Sequence, residues 1–68
     1  STCVFQLVQH SQGLLGQYRP KCTAKGEYEL MQCEGSECWC VDHIGDMITG
    51  TARMKPEMPN CEGTTQFN

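Results

Sequence analysis

The stretch Cys22-Thr23-Ala24-Lys25-Gly26-Glu27-Tyr28-Glu29-Leu30-Met31-Gln32-Cys33 is followed, after Glu34-Gly35-Ser36-Glu37, by Cys38-Trp39-Cys40-Val41-Asp42. Lys25-Gly26 reads as a turn, and residues 27–33 alternate so that Tyr28 and Leu30 fall on one side of a strand. The four-residue link at 34–37, with its Gly and Ser, suits a tight hairpin, and residues 38–42 return as the partner strand. Cys38 and Cys40 are two apart on that strand and share a face while Trp39 takes the other, so these two cysteines are poor partners for each other. Cys33 and Cys38 bracket the hairpin link, which brings them within disulfide distance.

Over the whole chain, the cysteines are Cys3, Cys22, Cys33, Cys38, Cys40 and Cys61, among 68 residues whose apolar fraction is 38%. Ordering a chain this short costs on the order of 1.5 kcal/mol per residue, which a small core offsets poorly, so covalent cross-links must supply stability. An even cysteine set spread from end to end implies a secreted disulfide framework and a single domain over residues 1–68, ordered over 2–62 with a tail at 63–68. Zinc is disfavoured, because its cysteine knuckles use C-x-x-C spacing and the closest pairs here are separated by four residues or by one. Beyond the hairpin bridge, Cys3, Cys22, Cys40 and Cys61 can pair in three ways. The sequential pairing closes loops of about 20 residues, each worth roughly 3 kcal/mol in the chain-entropy account.

Upstream, Ser1 and Thr2 are good N-caps, and Val4, Leu7, Val8 and Ser11 recur at helical spacing, predicting a short amphipathic helix that Gly13 ends. Gly13-Leu14-Leu15-Gly16 comes next, and Tyr18-Arg19-Pro20-Lys21 leads the chain into extended structure. Downstream, His43-Ile44-Gly45-Asp46 reads as a second turn and Met47-Ile48-Thr49 as a short third strand. Residues 52–68, with Pro56, Pro59 and Gly63, show no periodicity and read as loop tied down at Cys61.

Eight acids against five bases give a net charge of −3, which argues against nucleic acid and against a polybasic membrane contact. No apolar run is long enough to span a bilayer. His10, His43, the scattered serines, Asp42 and Asp46 form no nucleophile–base constellation, so no catalytic residue is expected. Two carboxylates without further regular oxygen spacing are weak evidence for calcium, so neither a metal nor a cofactor is expected.

The segment from Cys22 to Cys33, Cys38-Trp39-Cys40-Val41-Asp42, then Gly45 and Gly50-Thr51, with Pro20 two residues ahead of Cys22, closely resembles the thyroglobulin type-1 domain over residues 3–61. The resemblance implies a small disulfide-rich α+β fold, a short N-terminal helix on a small antiparallel sheet, with bridges Cys3–Cys22, Cys33–Cys38 and Cys40–Cys61. Tyr28, Gln32 and Trp39 then belong to the framework. Relatives divide between thyropin-like inhibitors of papain-like cysteine proteases and extracellular modules that bind matrix or growth-factor partners within larger proteins. The inhibitors resemble a wedge whose loop edge plugs the protease cleft without offering a reactive group.

On that reading the chain is expected to be a secreted monomer whose partner is a papain-like protease, with three segments forming the edge. Gly13, Leu14, Leu15 and Gly16 are the sharpest candidate, since glycines allow a tight fold while one leucine projects and the other packs inward. Gly35 and Ser36 form the second, pre-ordered by their disulfide. Arg53 and Met54, within residues 50–57, form the third. The 33–38 loop is shorter than the Gly-Tyr-containing version common in relatives and carries Glu34 and Glu37, which is expected to narrow the range of proteases accepted.

Overall fold

A computed structural model describes residues 2–11 and 18–63, with only the backbone of Thr2, His10 and Ser11. Among the described residues one helix, α1 (Thr2–Ser11), precedes three short strands, β1 (Met31–Glu34), β2 (Glu37–Cys40) and β3 (Arg53–Met54), in an antiparallel sheet of order β1-β2-β3. The three bridges are Cys3–Cys22, Cys33–Cys38 and Cys40–Cys61, the pairing that the family resemblance implies. Cys33 and Cys38 are register partners across β1 and β2. The architecture is the small disulfide-rich α+β fold that was expected.

The helix forms where predicted but turns a different face inward. Val4, Phe5 and Val8 are 42%, 64% and 50% exposed, whereas Cys3 is fully buried and Gln6 and Leu7 are half-buried. Of the expected Val4–Leu7–Val8 stripe, Leu7 alone turns partly inward. The Cys3–Cys22 bridge fixes the helix's rotation, and one turn further on the Gln6 Oε1 accepts a hydrogen bond from the Tyr28 hydroxyl. A covalent link fixes the rotation of a short helix more rigidly than the burial of one apolar stripe does.

The strand limits also differ. β1 begins at Met31 rather than Glu27: Tyr28 makes an isolated bridge to Cys22, and Leu30 is 40% exposed, so the two do not share one buried side. Residues 47–49 do not form the third strand. Met47 bridges Val41 alone, and β3 arises instead at Arg53–Met54, within the segment expected to be loop. Thr51 explains the shift, because its Oγ1 accepts from Cys40 N at 3.0 Å and donates to Ile48 O at 2.7 Å. A side chain thus takes the place of a ladder rung and turns the chain so that the next residues meet β2.

A five-residue turn occurs twice. In residues 23–27 the Thr23 Oγ1 accepts from the N–H groups of Lys25 and Glu27, and in residues 42–46 the Asp42 Oδ1 accepts from those of Ile44 and Asp46. Gly26 N donates to Thr23 O, and Gly45 N to Asp42 O; φ is +91° and +93° at these glycines. Each turn is flanked by a bridge, Cys22↔Tyr28 and Val41↔Met47. These side-chain turns fix loops that border the small core of Cys3, Tyr28 and Val41, against which Cys22 and Trp39 pack.

Candidate functional site

Antiparallel pairing gathers two of the three expected segments at one end of the sheet. Gly35 and Ser36 form the tip between β1 and β2; Gly35 has φ +62°, a left-handed conformation that glycine adopts at no steric cost. β3 lies alongside, with Glu37 opposite Met54 and Cys38 opposite Arg53, and Lys55 N donates to Ser36 O at 2.8 Å. Arg53 turns its guanidinium back onto the carbonyls of Gly50 (3.1 Å) and Ala52 (2.8 Å). Met54 remains 59% exposed. The Cys33–Cys38 bridge cross-links the hairpin immediately behind its tip. Gly13, Leu14, Leu15 and Gly16 lie outside the described residues.

Residues 18–21, a short distance C-terminal to that segment, are firmly held. The side chain of Gln32 is fully buried, and its amide makes four hydrogen bonds. Its Oε1 accepts from the Tyr18 hydroxyl (2.7 Å) and Lys21 N (2.8 Å), while its Nε2 donates to Lys21 O (3.0 Å) and Glu29 O (2.8 Å). The two bonds to Lys21 imitate a strand pair, so a side chain sews residues 18–21 to the sheet. A buried amide whose four hydrogen-bonding positions are all used rigidifies its surroundings. Gln32 is also the register partner of Trp39, whose ring lies 5.6 Å from that of Tyr18 at 51°.

Burial, with smaller contributions from Tyr28 and Glu34, pushes the Tyr18 phenol above the usual 10.0. The folded state therefore favours the neutral phenol, which also donates to Gln32. Stability from this group is complete below pH 10 and is lost as pH rises through the folded value. The expected result is a urea midpoint that falls above pH 10 in the parent and falls less in Tyr18→Phe. Equal declines in the two proteins would remove Tyr18 as the cause.

Other polar side chains are already engaged or stand apart. Asp42 spends a carboxylate oxygen on its own turn, and His43 is exposed within it. Among the described residues no three His, Cys, Asp or Glu side chains converge on a metal position, and no helix is long and apolar enough to cross a membrane. Sequence reading missed Tyr18 as a support of the site. Its signal was Gln32, a polar residue at an inward position beside Trp39.

The described residues form a small module stapled by three disulfides, with a hairpin tip and β3 together at one sheet end. The model of the thyroglobulin type-1 repeat matches residues 4–67, and the chain belongs to that family. Equistatin of Actinia equina is 54% identical over 41 residues, covering 57% of this chain and 18% of equistatin. Thyroglobulin of Bos taurus is 41% identical over 63 residues, covering 85% of this chain and 2% of thyroglobulin. Testican-1 of Homo sapiens is 38% identical over 50 residues, covering 71% of this chain and 11% of testican-1. The chain thus spans less than a fifth of the length of each of these relatives.

Proposed function

We propose that this domain is a secreted, monomeric and reversible inhibitor of papain-like cysteine proteases, which blocks the active-site cleft with its loop edge and contributes no reactive group. One observation supports this above the others: Gly35 and Ser36 meet Arg53 and Met54 at a single cross-linked sheet end. A pre-ordered edge loses little conformational entropy on docking, which is how a small surface reaches high affinity. One of Leu14 and Leu15 supplies an apolar anchor of that edge.

The test is a titration of the oxidised protein against papain, cathepsins L and B and one aspartic protease, with hydrolysis of a small substrate as the readout. Competitive inhibition of at least one papain-like enzyme is expected, and at least one of Leu14→Glu and Leu15→Glu should weaken it about tenfold or more. Full inhibition by both variants would remove the leucine loop from the edge. The second reading, an extracellular recognition module, draws on the small share of each relative that this chain spans. It would be favoured by a purified extracellular partner binding while every protease stays active.

A further inference from the structure

We propose that Met54 is an oxidation site that switches the loop edge off, an inference that rests on the inhibitory reading above. Four methionines are present, and three of them, Met47, Met54 and Met58, are about half exposed or more. Only Met54 combines exposure with a place on the edge. It is the residue of β3 opposite Glu37, and it lies one position before Lys55, whose N–H binds Ser36 O at the hairpin tip. Its backbone position is fixed further by Glu57 N donating to Met54 O at 3.0 Å. The thioether is thus open to a solvent oxidant while its main chain stays rigid.

Docking of the edge in a cleft would remove the Met54 thioether from water. A hydroperoxide transfers one oxygen to the sulfur: the S–O bond forms, the peroxide O–O bond breaks, and the alcohol or water leaves with the proton. Sulfur is oxidised and the peroxide is reduced. The sulfoxide is polar and chiral, and it resists the desolvation that the thioether tolerates. The fold has little stake in this group, because β3 is held by backbone bonds and the side chain is exposed.

The experiment treats disulfide-intact protein with hydrogen peroxide, removes the oxidant, locates sulfoxides by peptide mass and titrates papain. Oxidised parent is expected to inhibit at least tenfold more weakly, with an unchanged thermal midpoint. Met54→Leu, whatever its strength before treatment, should inhibit equally before and after it, whereas Met47→Leu and Met58→Leu should weaken on treatment as the parent does. Undiminished inhibition with Met54 mapped as sulfoxide would overturn the proposal, as would equal loss in Met54→Leu. If untreated protein inhibits no papain-like protease, the inhibitory reading falls and takes this inference with it; if untreated and oxidised protein inhibit alike, only the switch falls.

Discussion

Gly45→Ala is expected to lower stability by about 3 kcal/mol, most of the margin that a core of this size supplies. Two independent costs combine. The residue has φ +93°, where an L side chain is strained by about 1–2 kcal/mol. An added Cβ would also lie 2.7 Å from Cζ, 2.8 Å from Cε1 and 3.0 Å from Cε2 of Tyr28. That ring is 9% exposed, and its hydroxyl is bound to Gln6 of α1, so it cannot retreat without loosening the helix. Overpacking of this kind typically costs about 1–3 kcal/mol. Gly50→Ala separates the two contributions, since Gly50 has φ +87° and nothing lies within 4 Å of an added Cβ. Urea midpoints should place Gly50→Ala about 1 kcal/mol below the parent and Gly45→Ala well below that. Equal losses would mean that the Tyr28 ring yields freely.

Gln32→Leu keeps much of the side chain's volume and removes all four of its hydrogen bonds. The phenol of Tyr18, the N–H of Lys21 and the carbonyl of Glu29 then lose this partner, while Lys21 O keeps the bond from Glu29 N at 3.0 Å. Each buried polar group left unsatisfied costs about 1–3 kcal/mol, and water recovers part of this where Lys21 and Glu29 reach the surface, so a net loss of about 3 kcal/mol is expected. Hydrogen exchange provides the local check: the Lys21 amide should lose its protection in Gln32→Leu before the strand amides of β1 and β2 do. Retained protection at Lys21 would show that the segment holds to the sheet without the amide. Gln32→Glu offers a second route to the same point. Its ionised carboxylate would face two carbonyls, so this variant should regain stability as pH falls and the group takes up a proton.

The residues that revealed the fold are those whose geometry is local. Cys33 and Cys38 announce their bridge because four residues with Gly and Ser allow little besides a hairpin, and the alternation of Cys38, Trp39 and Cys40 fixes their faces. Periodicity failed at Val4 and Val8, because a disulfide at Cys3 sets the orientation of a ten-residue helix. The third strand was misplaced at residues 47–49 because its true position depends on Thr51 reaching back to Cys40, a contact between residues 11 apart. For the candidate site, Gly35, Ser36, Arg53 and Met54 were each legible as loop residues with suitable chemistry. Their meeting at one sheet end was not, since β3 register is set by that same threonine and by the bond from Lys55 to Ser36.

The three bridges, Cys3–Cys22, Cys33–Cys38 and Cys40–Cys61, succeed one another without overlapping. A peptide bond broken inside any of the three rings leaves one molecule, its new ends tethered by sulfur. Apart from breaks before Cys3 or after Cys61, only a break between Cys22 and Cys33, or on either side of Trp39, divides it in two. Trp39 lies within β2 between two fully buried cysteines, and the interval from 23 to 32 begins with a side-chain-locked turn and ends at the four-bonded Gln32. The breakable joints of the ring system are therefore held by a side-chain turn, by the Gln32 amide and by strand pairing, while the exposed tip at Gly35 and the strand bearing Met54 lie inside rings that survive a nick.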